Sequence, residues 1–174
     1  MLSRNHTVKA VAAIVEARDP PSANSVQAVQ KQFNVFVYFN YKKRIVILHA
    51  TPSTVTVELE NSIAGNVAKI LGFTNVAAGT AAIQGKPEKA PYSIEVLVEM
   101  NPDIIFITSM GTQEKVEKRL HADVEGNPAY AALNAVKNNK VYVLPEDLFL
   151  LAPGLRYPEA VELMAKDVFP ESFK

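Results

Sequence analysis

The residue types that could carry chemistry are sparse in this chain and do not form a catalytic arrangement. The three histidines, His6, His49 and His121, lie far apart in the sequence and lack the short spacing of metal ligands. There is no cysteine, which excludes disulfides, zinc–thiolate sites and thiol nucleophiles. The glycine patterns of phosphate-binding loops and the G-x-S-x-G turn of hydrolases are also absent. The sequence therefore predicts no catalytic residue, no metal site and no cofactor.

Three loops that follow predicted strands are better suited to contact with a ligand. They are ATPST (Ala50–Thr54), SMG (Ser109–Gly111) and PEDLFLLAPGLR (Pro145–Arg156). Because parallel strands end at one edge of a sheet, these loops can form a single rim there. His49 lies at the same end of its strand, where it is either a satisfied polar side chain or a ligand contact.

The third loop contains four consecutive apolar residues, Leu148 to Leu151, outside any predicted helix or strand. Loops usually run over the surface, so these residues either fill the core beneath the last helix or form an apolar wall for a ligand. Arg156, just before that helix, is either a surface arginine or an anion-binding group. The residues alone leave both pairs of alternatives open.

Hydrophobic periodicity places these loops in a fold where strands and helices alternate. Apolar runs predict strands at Arg44–Ala50, Thr54–Glu58, Asp103–Thr108 and in KVYVLP. Helices are predicted from Ile63 to a cap at Gly72, in SIEVLVEM, in TQEKVEKRLHAD, and from Pro158 to Pro170. The strands are nearly continuous in apolar residues, which indicates a mostly parallel sheet covered on both faces. The predicted class is α/β with three layers.

The first 42 residues follow a different pattern. Apolar residues recur at helical spacing over residues 6–18, and Pro20-Pro21 end that predicted helix. A second amphipathic segment begins at Ser25, and its aromatic run VFVYF is compatible with a helix or a strand. We therefore expect a helical segment at 1–42 and one α/β domain at 43–174, within the range of a single domain with an appendage.

Charge and hydropathy argue against nucleic-acid binding, a transmembrane helix and a signal sequence. The 18 basic and 18 acidic residues cancel, so the charge balance does not favour nucleic acid as a partner. No window of 18 apolar residues occurs, so no transmembrane helix is predicted. Glu16 and Asp19 follow a short apolar stretch without a cleavage pattern, so we expect no signal sequence in this chain.

Four stretches in series resemble the carboxy-terminal lobe of periplasmic substrate-binding proteins, which serve ABC importers of iron–siderophore complexes, haem and cobalamin. They are KRIVILHATPSTVTVELENSIAGNVAKILGFTNVAAG, YSIEVLVEMNPDIIFITSMG, NPAYAALNAVKNNKVYVLPEDLF and APGLRYPEAVELMAKDVFP, which together cover most of residues 43–170. The resemblance implies two Rossmann-like lobes joined by a rigid helix, with the ligand held between them. This chain then corresponds to the carboxy-terminal lobe, with residues 6–40 near the interlobe connection and the amino-terminal lobe missing.

The resemblance implies a binding function and not an enzymatic one. The ligand is expected to be a metal chelate of the siderophore, haem or cobalamin type, delivered to an ABC permease. The complete protein is expected in the periplasm, or outside the cell with a membrane anchor. A lone lobe is also expected to self-associate through the face that meets its missing partner lobe. The rival functions are a doubly wound enzyme domain that binds a nucleotide or sugar, and a pure interaction domain.

The resemblance also assigns individual residues. Its ligand-facing loops carry Thr51, Ser53, Met110, Leu148, Phe149 and Arg156, with Tyr130 and Tyr92 as further candidates. Glu95 in SIEVL occupies the place of a glutamate that pairs with arginines of the permease. From the residues alone, Glu95 lies off the apolar face of its helix and could equally complement the helix dipole after the cap residue Ser93.

Overall fold

The structure is a computed structural model that describes residues 43–151 and 153–173. The helices predicted over residues 6–18 and from Ser25 lie outside the described residues. The predicted boundary between a segment at 1–42 and a domain at 43–174 therefore stays a prediction.

A mixed sheet forms the middle layer of the described part. Its strands are β1 (Arg44–Ala50), β2 (Val55–Glu58), β3 (Thr74–Asn75), β4 (Lys89–Pro91), β5 (Ile104–Ser109) and β6 (Val141–Val143). The order across the sheet is β4-β2-β1-β5-β6, and β3 pairs with the start of β1. β1 runs parallel to β5, and β5 runs parallel to β6, as the sequence predicts. The predicted strands near residues 44–50, 54–58 and 103–108 are thus confirmed, with bounds shifted by one residue in the last two.

The sheet is less uniform than its apolar strands suggest, because β2 is antiparallel to both β1 and β4. The cause is the short link between β1 and β2, where the backbone N–H of Thr51 donates to the carbonyl of Thr54 at 2.9 Å. A turn this tight reverses the chain, whereas a parallel neighbour requires a long crossover. β3 and β4 are too short to show a periodic pattern, and neither was predicted.

Helices cover both faces of the sheet. They are α1 (Ile63–Ile70), α2 (Ile94–Met100), α3 (Gln113–Leu120), α4 (Pro128–Ala131), α5 (Asn134–Lys137), α6 (Glu146–Phe149) and α7 (Tyr157–Val168). A π-helical turn, His121–Glu125, extends α3, so the predicted TQEKVEKRLHAD helix is confirmed in two parts. Gly72, with φ of 75°, ends α1 as predicted.

Alternating side chains of the central strands feed two separate cores. Ile45 and Ile47 of β1, with Phe106 of β5, pack beneath α1 and α7. Val46 and Leu48, on the opposite face, pack with the buried side chains of α2, α3, α4 and α5. The prediction of a three-layer α/β fold is confirmed. Among the helices of the described residues, none has the length and apolarity needed to cross a membrane.

Candidate functional site

The loops after β1 and β5 meet at the carboxyl edge of the sheet. Ala50 and Ser109 are partners in register, and the backbone N–H of Met110 donates to the carbonyl of Ala50 at 3.0 Å. Gly111 has φ of 125°, and a Cβ on it would lie 2.9 Å from two ring carbons of Pro52. β6 ends on the same side, where the N–H of Leu144 donates to the carbonyl of Ile107 at 2.8 Å. We call this edge, with the loops 51–54, 110–112 and 144–156, the rim.

The first rim loop is held by its own side chains. The Thr51 hydroxyl donates to the carbonyl of Thr54 at 3.1 Å and accepts from the N–H of Thr54 at 3.2 Å. It also lies 3.2 Å from the hydroxyl of Ser53. Thr51 is half-buried and stabilises the turn, whereas Ser53 is exposed. Of the two predicted ligand contacts in this loop, Ser53 has the more accessible side chain.

Exposed apolar side chains are concentrated at the rim. Six large apolar residues of the described part are exposed. Three of them, Met110, Leu151 and Leu155, lie in the rim loops, and a fourth, Val143, is the last residue of β6. Val143 and Leu155 are 69% and 73% exposed. Exposed apolar residues grouped in this way are typical of a surface that binds a ligand or another protein. The rim therefore supplies apolar contact area around the predicted contact Met110.

Leu148 and Phe149 lie in the core and not on the rim surface. They are 3% and 1% exposed and pack beneath α7, because residues 146–149 form the helical turn α6 and not an open loop. Of the two alternatives left open by the sequence, core packing describes their positions. A direct ligand contact by either side chain stays a prediction, and nothing in the described structure supports it.

The two candidate tyrosines pack on the opposite face of the sheet from Leu148. Tyr130 of α4 is buried, and Tyr92 is half-buried beside the same cluster. Burial raises the pKa of both phenols to about 12, with Tyr130 and the carboxylates of Asp123 and Glu95 adding to the effect on Tyr92. Both phenols are therefore neutral near pH 7. Their role in ligand binding stays a prediction.

Arg156 is engaged by two carboxylates. Its Nη1 lies 2.7 Å from Oδ2 of Asp147, while Nε and Nη2 donate to the two carboxylate oxygens of Glu159 at 2.8 and 2.9 Å. Hydrogen bonds from both carboxylates, that of Glu159 first, raise the pKa of the guanidinium. The cluster carries two negative charges against one positive charge. An anionic ligand that approaches Arg156 is therefore repelled by the excess negative charge of this cluster.

Glu95 lies at the first turn of α2, close to the level of the rim. Ser93 caps this helix, accepting from the N–H of Val96 at 3.3 Å and donating to Oε2 of Glu95 at 2.7 Å. This hydroxyl, followed by the backbone, lowers the pKa of Glu95, which is fully exposed and negatively charged. Through β2, Pro91 of β4 aligns with His49 near the end of β1. The predicted docking residue thus begins its helix at the same end of the sheet as the rim loops.

A buried polar cluster beneath the rim was only partly visible in the sequence. His49 Nδ1 lies 3.0 Å from Thr108 Oγ1, which lies 2.6 Å from Oε1 of Glu58. The sequence drew attention to His49 by its place at a strand end. The alternation in TVTVE also places Glu58 on the same face as Thr56. A carboxylate at the end of a buried strand was therefore the sequence signal for the Glu58 part of this cluster. Among the described residues, no three His, Cys, Asp or Glu side chains lie close enough to hold a metal ion.

Comparison with known proteins identifies the family of this chain. The family model described as "Periplasmic binding protein" matches residues 23–148. The chain belongs to the periplasmic binding protein family. The resemblance seen in the sequence is thereby confirmed.

The relatives that it matches are substantially longer than this chain. The high-affinity heme uptake system protein IsdE of Staphylococcus aureus (strain bovine RF122 / ET3-1) is 34% identical over 124 residues, 71% of this chain and 40% of that protein. The counterpart from strain MRSA252 is 34% identical over 104 residues, 59% of this chain and 34% of that protein. The chain therefore spans two fifths or less of the length of these curated relatives.

Solved structures of related proteins share the fold. An ABC transporter substrate-binding protein from Listeria monocytogenes EGD-e matches with a TM-score of 0.66 and 29% identity, over 83% of this chain and 54% of that one. S. aureus IsdE complexed with heme matches with a TM-score of 0.67 and 22% identity, over 95% of this chain and 64% of that one. The periplasmic binding protein thus has the three-layer lobe of its family.

Proposed function

We propose that this periplasmic binding protein is the ligand-binding lobe of an ABC importer for a metal chelate of the siderophore or haem type. In this proposal the rim forms one wall of the ligand site and a second lobe forms the other. The complete protein acts in the periplasm, or outside the cell with a membrane anchor. It delivers the chelate to a membrane permease and catalyses no reaction.

The observation that carries the proposal is the apolar rim on a lobe of this family. Met110, Leu151 and Leu155 present exposed apolar surface where three strands end, and the nearby polar group Ser53 is also exposed. Ligand sites are largely apolar surfaces with a small number of oriented polar groups. A large, partly apolar chelate fits such a surface better than a bare metal ion does.

The names of the relatives support the ligand class. IsdE is named for high-affinity haem uptake, and a structural neighbour is described as the periplasmic heme-binding protein HutB of Vibrio cholerae. Another structural neighbour is an ABC-type Fe3+-hydroxamate transport system protein from Saccharomonospora viridis. Both haem and ferric siderophores are therefore ligands to test, with cobalamin as a third.

A titration panel tests the ligand class directly. The complete two-lobed protein is titrated with haem, a ferric hydroxamate, a ferric catecholate and cobalamin, using absorption changes and calorimetry. We expect saturable one-to-one binding of one chelate class. Absence of binding to all four chelates, or binding of free ferric ion alone, would contradict the proposed function.

Glu95 supports the proposed contact with the permease. It is fully exposed, negatively charged and close to the level of the rim, so it can meet a cationic side chain while the ligand opening faces the membrane. Such an exposed charge contributes mainly to steering and orientation. Glu95→Gln removes the charge but keeps an acceptor for Ser93.

The matched control is Glu99→Gln, which removes the other exposed carboxylate of α2 one turn later. We expect Glu95→Gln to lower chelate uptake by the assembled transporter severalfold, while Glu99→Gln and ligand affinity stay near wild type. Equal uptake by the two variants would remove Glu95 from the docking surface.

Self-association through the rim is a second candidate activity for the isolated chain. The exposed apolar side chains of the rim loops, with Val143 at the end of β6, favour it, because a surface of this kind tends to associate when its partner is absent. Sedimentation of the isolated chain over a range of concentrations checks this. Leu155→Ser is expected to shift the equilibrium toward the monomer, and a monomer at every concentration would contradict self-association.

A further inference from the structure

Three polar side chains form a buried chain of hydrogen bonds directly beneath the rim. His49, Glu58 and Thr108 come from β1, β2 and β5, and all are at most 3% exposed. The distances are 3.0 Å from His49 Nδ1 to Thr108 Oγ1 and 2.6 Å from Thr108 Oγ1 to Glu58 Oε1. His49 Nδ1 itself lies 3.5 Å from Glu58 Oε1, so Thr108 is the closer partner of both.

The hydroxyl of Thr108, which also makes a longer contact of 3.5 Å with the carbonyl of Leu48, can link Glu58 and His49 in two arrangements. If Thr108 donates to an ionised Glu58, its oxygen accepts from Nδ1–H of His49, and Nε2 carries the lone pair. If Glu58 is protonated and donates to Thr108, the hydroxyl donates to Nδ1, and Nε2 carries the hydrogen. Histidine is neutral in both arrangements, which differ by one proton and in the tautomer of the imidazole.

The charged groups around the chain favour a neutral His49, whereas at Glu58 they act in both directions, with Lys89 favouring the ionised carboxylate and Glu88 the neutral carboxyl. Lys86 and Lys89 approach His49 from β4 and the loop before it, and Glu88 lies beside Glu58. On the α1 side the polar neighbour is the cap residue Ser62. Asn75 of β3 donates to the backbone carbonyl of Glu58 at 2.9 Å and not to its carboxylate.

One oxygen of Glu58 distinguishes the two arrangements energetically. Oε2 is buried and has no hydrogen-bond partner among the described residues. A buried charged oxygen without a partner costs more than a neutral one, so this environment favours the protonated carboxyl. The neighbouring hydroxyl of Thr56 is likewise buried without a partner in the described part of the chain.

We propose that His49, Thr108 and Glu58 form a proton relay that stores one proton on Glu58 and exchanges the tautomer of a neutral His49. A proton binds the lone pair of His49 Nε2, and the Nδ1 proton moves to Thr108 Oγ1. The original hydroxyl proton of Thr108 moves to Glu58 Oε1. One proton enters, none leaves, and the charge of the cluster changes from minus one to zero.

The titration behaviour of the two ends agrees with this direction of transfer. Burial, with Lys89 and Lys86 adding to it, holds the pKa of His49 at about 4, below its usual value. Burial raises the pKa of Glu58, and this effect outweighs the hydroxyls of Thr108 and Ser62 and the charge of Lys89, all of which lower it. The carboxyl is therefore the stable location of the proton, and the imidazole conducts it without retaining a charge.

The relay connects proton uptake to the rim. His49 precedes Ala50 and the turn 51–54, while Thr108 precedes Ser109 and Met110. The two strand ends are joined by the hydrogen bond from Met110 to Ala50 at 3.0 Å. The proton transfer exchanges the hydrogen-bond donor and acceptor between His49 of β1 and Thr108 of β5. Both residues lie next to the rim loops, so the exchange occurs directly beside them.

Nitrogen NMR of the full chain labelled with ¹⁵N-histidine tests the proposal without any mutation. On acidification, we expect His49 to stay neutral while its hydrogen moves from Nδ1 to Nε2. The backbone amides of Thr51 and Met110 should shift with the same midpoint. Conversion of His49 to imidazolium over that range, or a constant tautomer, would overturn the proposal.

Thr108→Val provides the matched variant, because it keeps the branched shape and removes the relaying hydroxyl. In this variant the tautomer of His49 and the two rim amides should no longer follow a common pH midpoint. Persistence of the wild-type transition would exclude Thr108 from the relay and overturn the proposal. If Thr108→Val does not fold, the wild-type spectra decide the outcome alone.

Discussion

Gly111→Ala tests whether the two rim loops are held against each other. Gly111 has φ of 125°, a conformation that side-chain-bearing residues rarely adopt, which costs about 1–3 kcal/mol. The added Cβ would also lie 2.9 Å from Cδ and Cγ of Pro52, whose ring cannot rotate away. Overpacking of this kind costs about 1–3 kcal/mol, so we expect the free energy of unfolding to fall by about 2–6 kcal/mol.

Two other glycines separate the causes of that loss. Gly85 also has a positive φ, 76°, but its Cβ would meet nothing within 4 Å, so Gly85→Ala should cost only about 1–2 kcal/mol. Gly79 has open space and no positive φ, so Gly79→Ala should be neutral or stabilising by about 0.4–1 kcal/mol.

Urea unfolding of the full chain and the three variants, followed by circular dichroism, measures these differences. The rim contact is supported if Gly111→Ala is clearly less stable than Gly85→Ala, because only Gly111 faces a second loop. Equal losses for Gly111→Ala and Gly85→Ala would show that the approach of Pro52 is not tight, and would refute the reasoning.

Three further predictions concern the core, the buried carboxyl and the arginine. Phe149→Ala should lower the free energy of unfolding by about 3–5 kcal/mol, whereas Leu155→Ala, at 73% exposure, should change it by less than about 0.5 kcal/mol in the same urea experiment. A small loss of unfolding free energy in Phe149→Ala would contradict the core position of Phe149 and favour a position on the rim surface. The folded-state pKa of Glu58 is raised, so its contribution to stability is present below its ordinary pKa and is lost as pH rises through the raised value. The stability of wild type relative to Glu58→Gln should therefore fall as pH rises from acidic to mildly alkaline, and a constant difference would contradict the assignment. Asp147→Asn removes one of the two carboxylates that hold Arg156, so calorimetry should show tighter binding of an anionic chelate to the complete protein, and unchanged affinity would place Arg156 outside the site.

The elements that pack most apolar surface were predictable from the sequence. The strand Arg44–Ala50 has the predicted bounds, because a short continuous apolar run is typical of a strand that is covered on both faces. α1 and α7 were likewise clear from their helical periodicity and from Gly72 and Pro170, which follow their ends. Here the local pattern and the tertiary environment require the same structure.

Three features of the structure were not predictable, because they depend on short links and long-range contacts that a local pattern does not encode. The antiparallel direction of β2 follows from the four-residue turn at Thr51–Thr54. This turn is present in the sequence, but the apolar pattern of the strands favoured the prediction of a mostly parallel sheet. Leu148 and Phe149 were assigned to a connection because a one-turn helix is too short for a periodic signal. The pairing of Glu58 with Thr108 joins residues 50 positions apart, so only the folded sheet brings them together.

The assignment of the rim as the ligand face is tested most directly by placing a charge on the rim and measuring chelate affinity in the complete protein. Met110→Asp adds a carboxylate at an exposed apolar position of the rim, and Val98→Asp adds one at a similarly exposed position on α2. With the chelate selected by the titration panel, Met110→Asp should weaken binding by about tenfold or more, equivalent to about 1.4 kcal/mol. Val98→Asp should bind as wild type does. Unchanged affinity for Met110→Asp in a correctly folded protein would contradict the assignment of the rim as the ligand face.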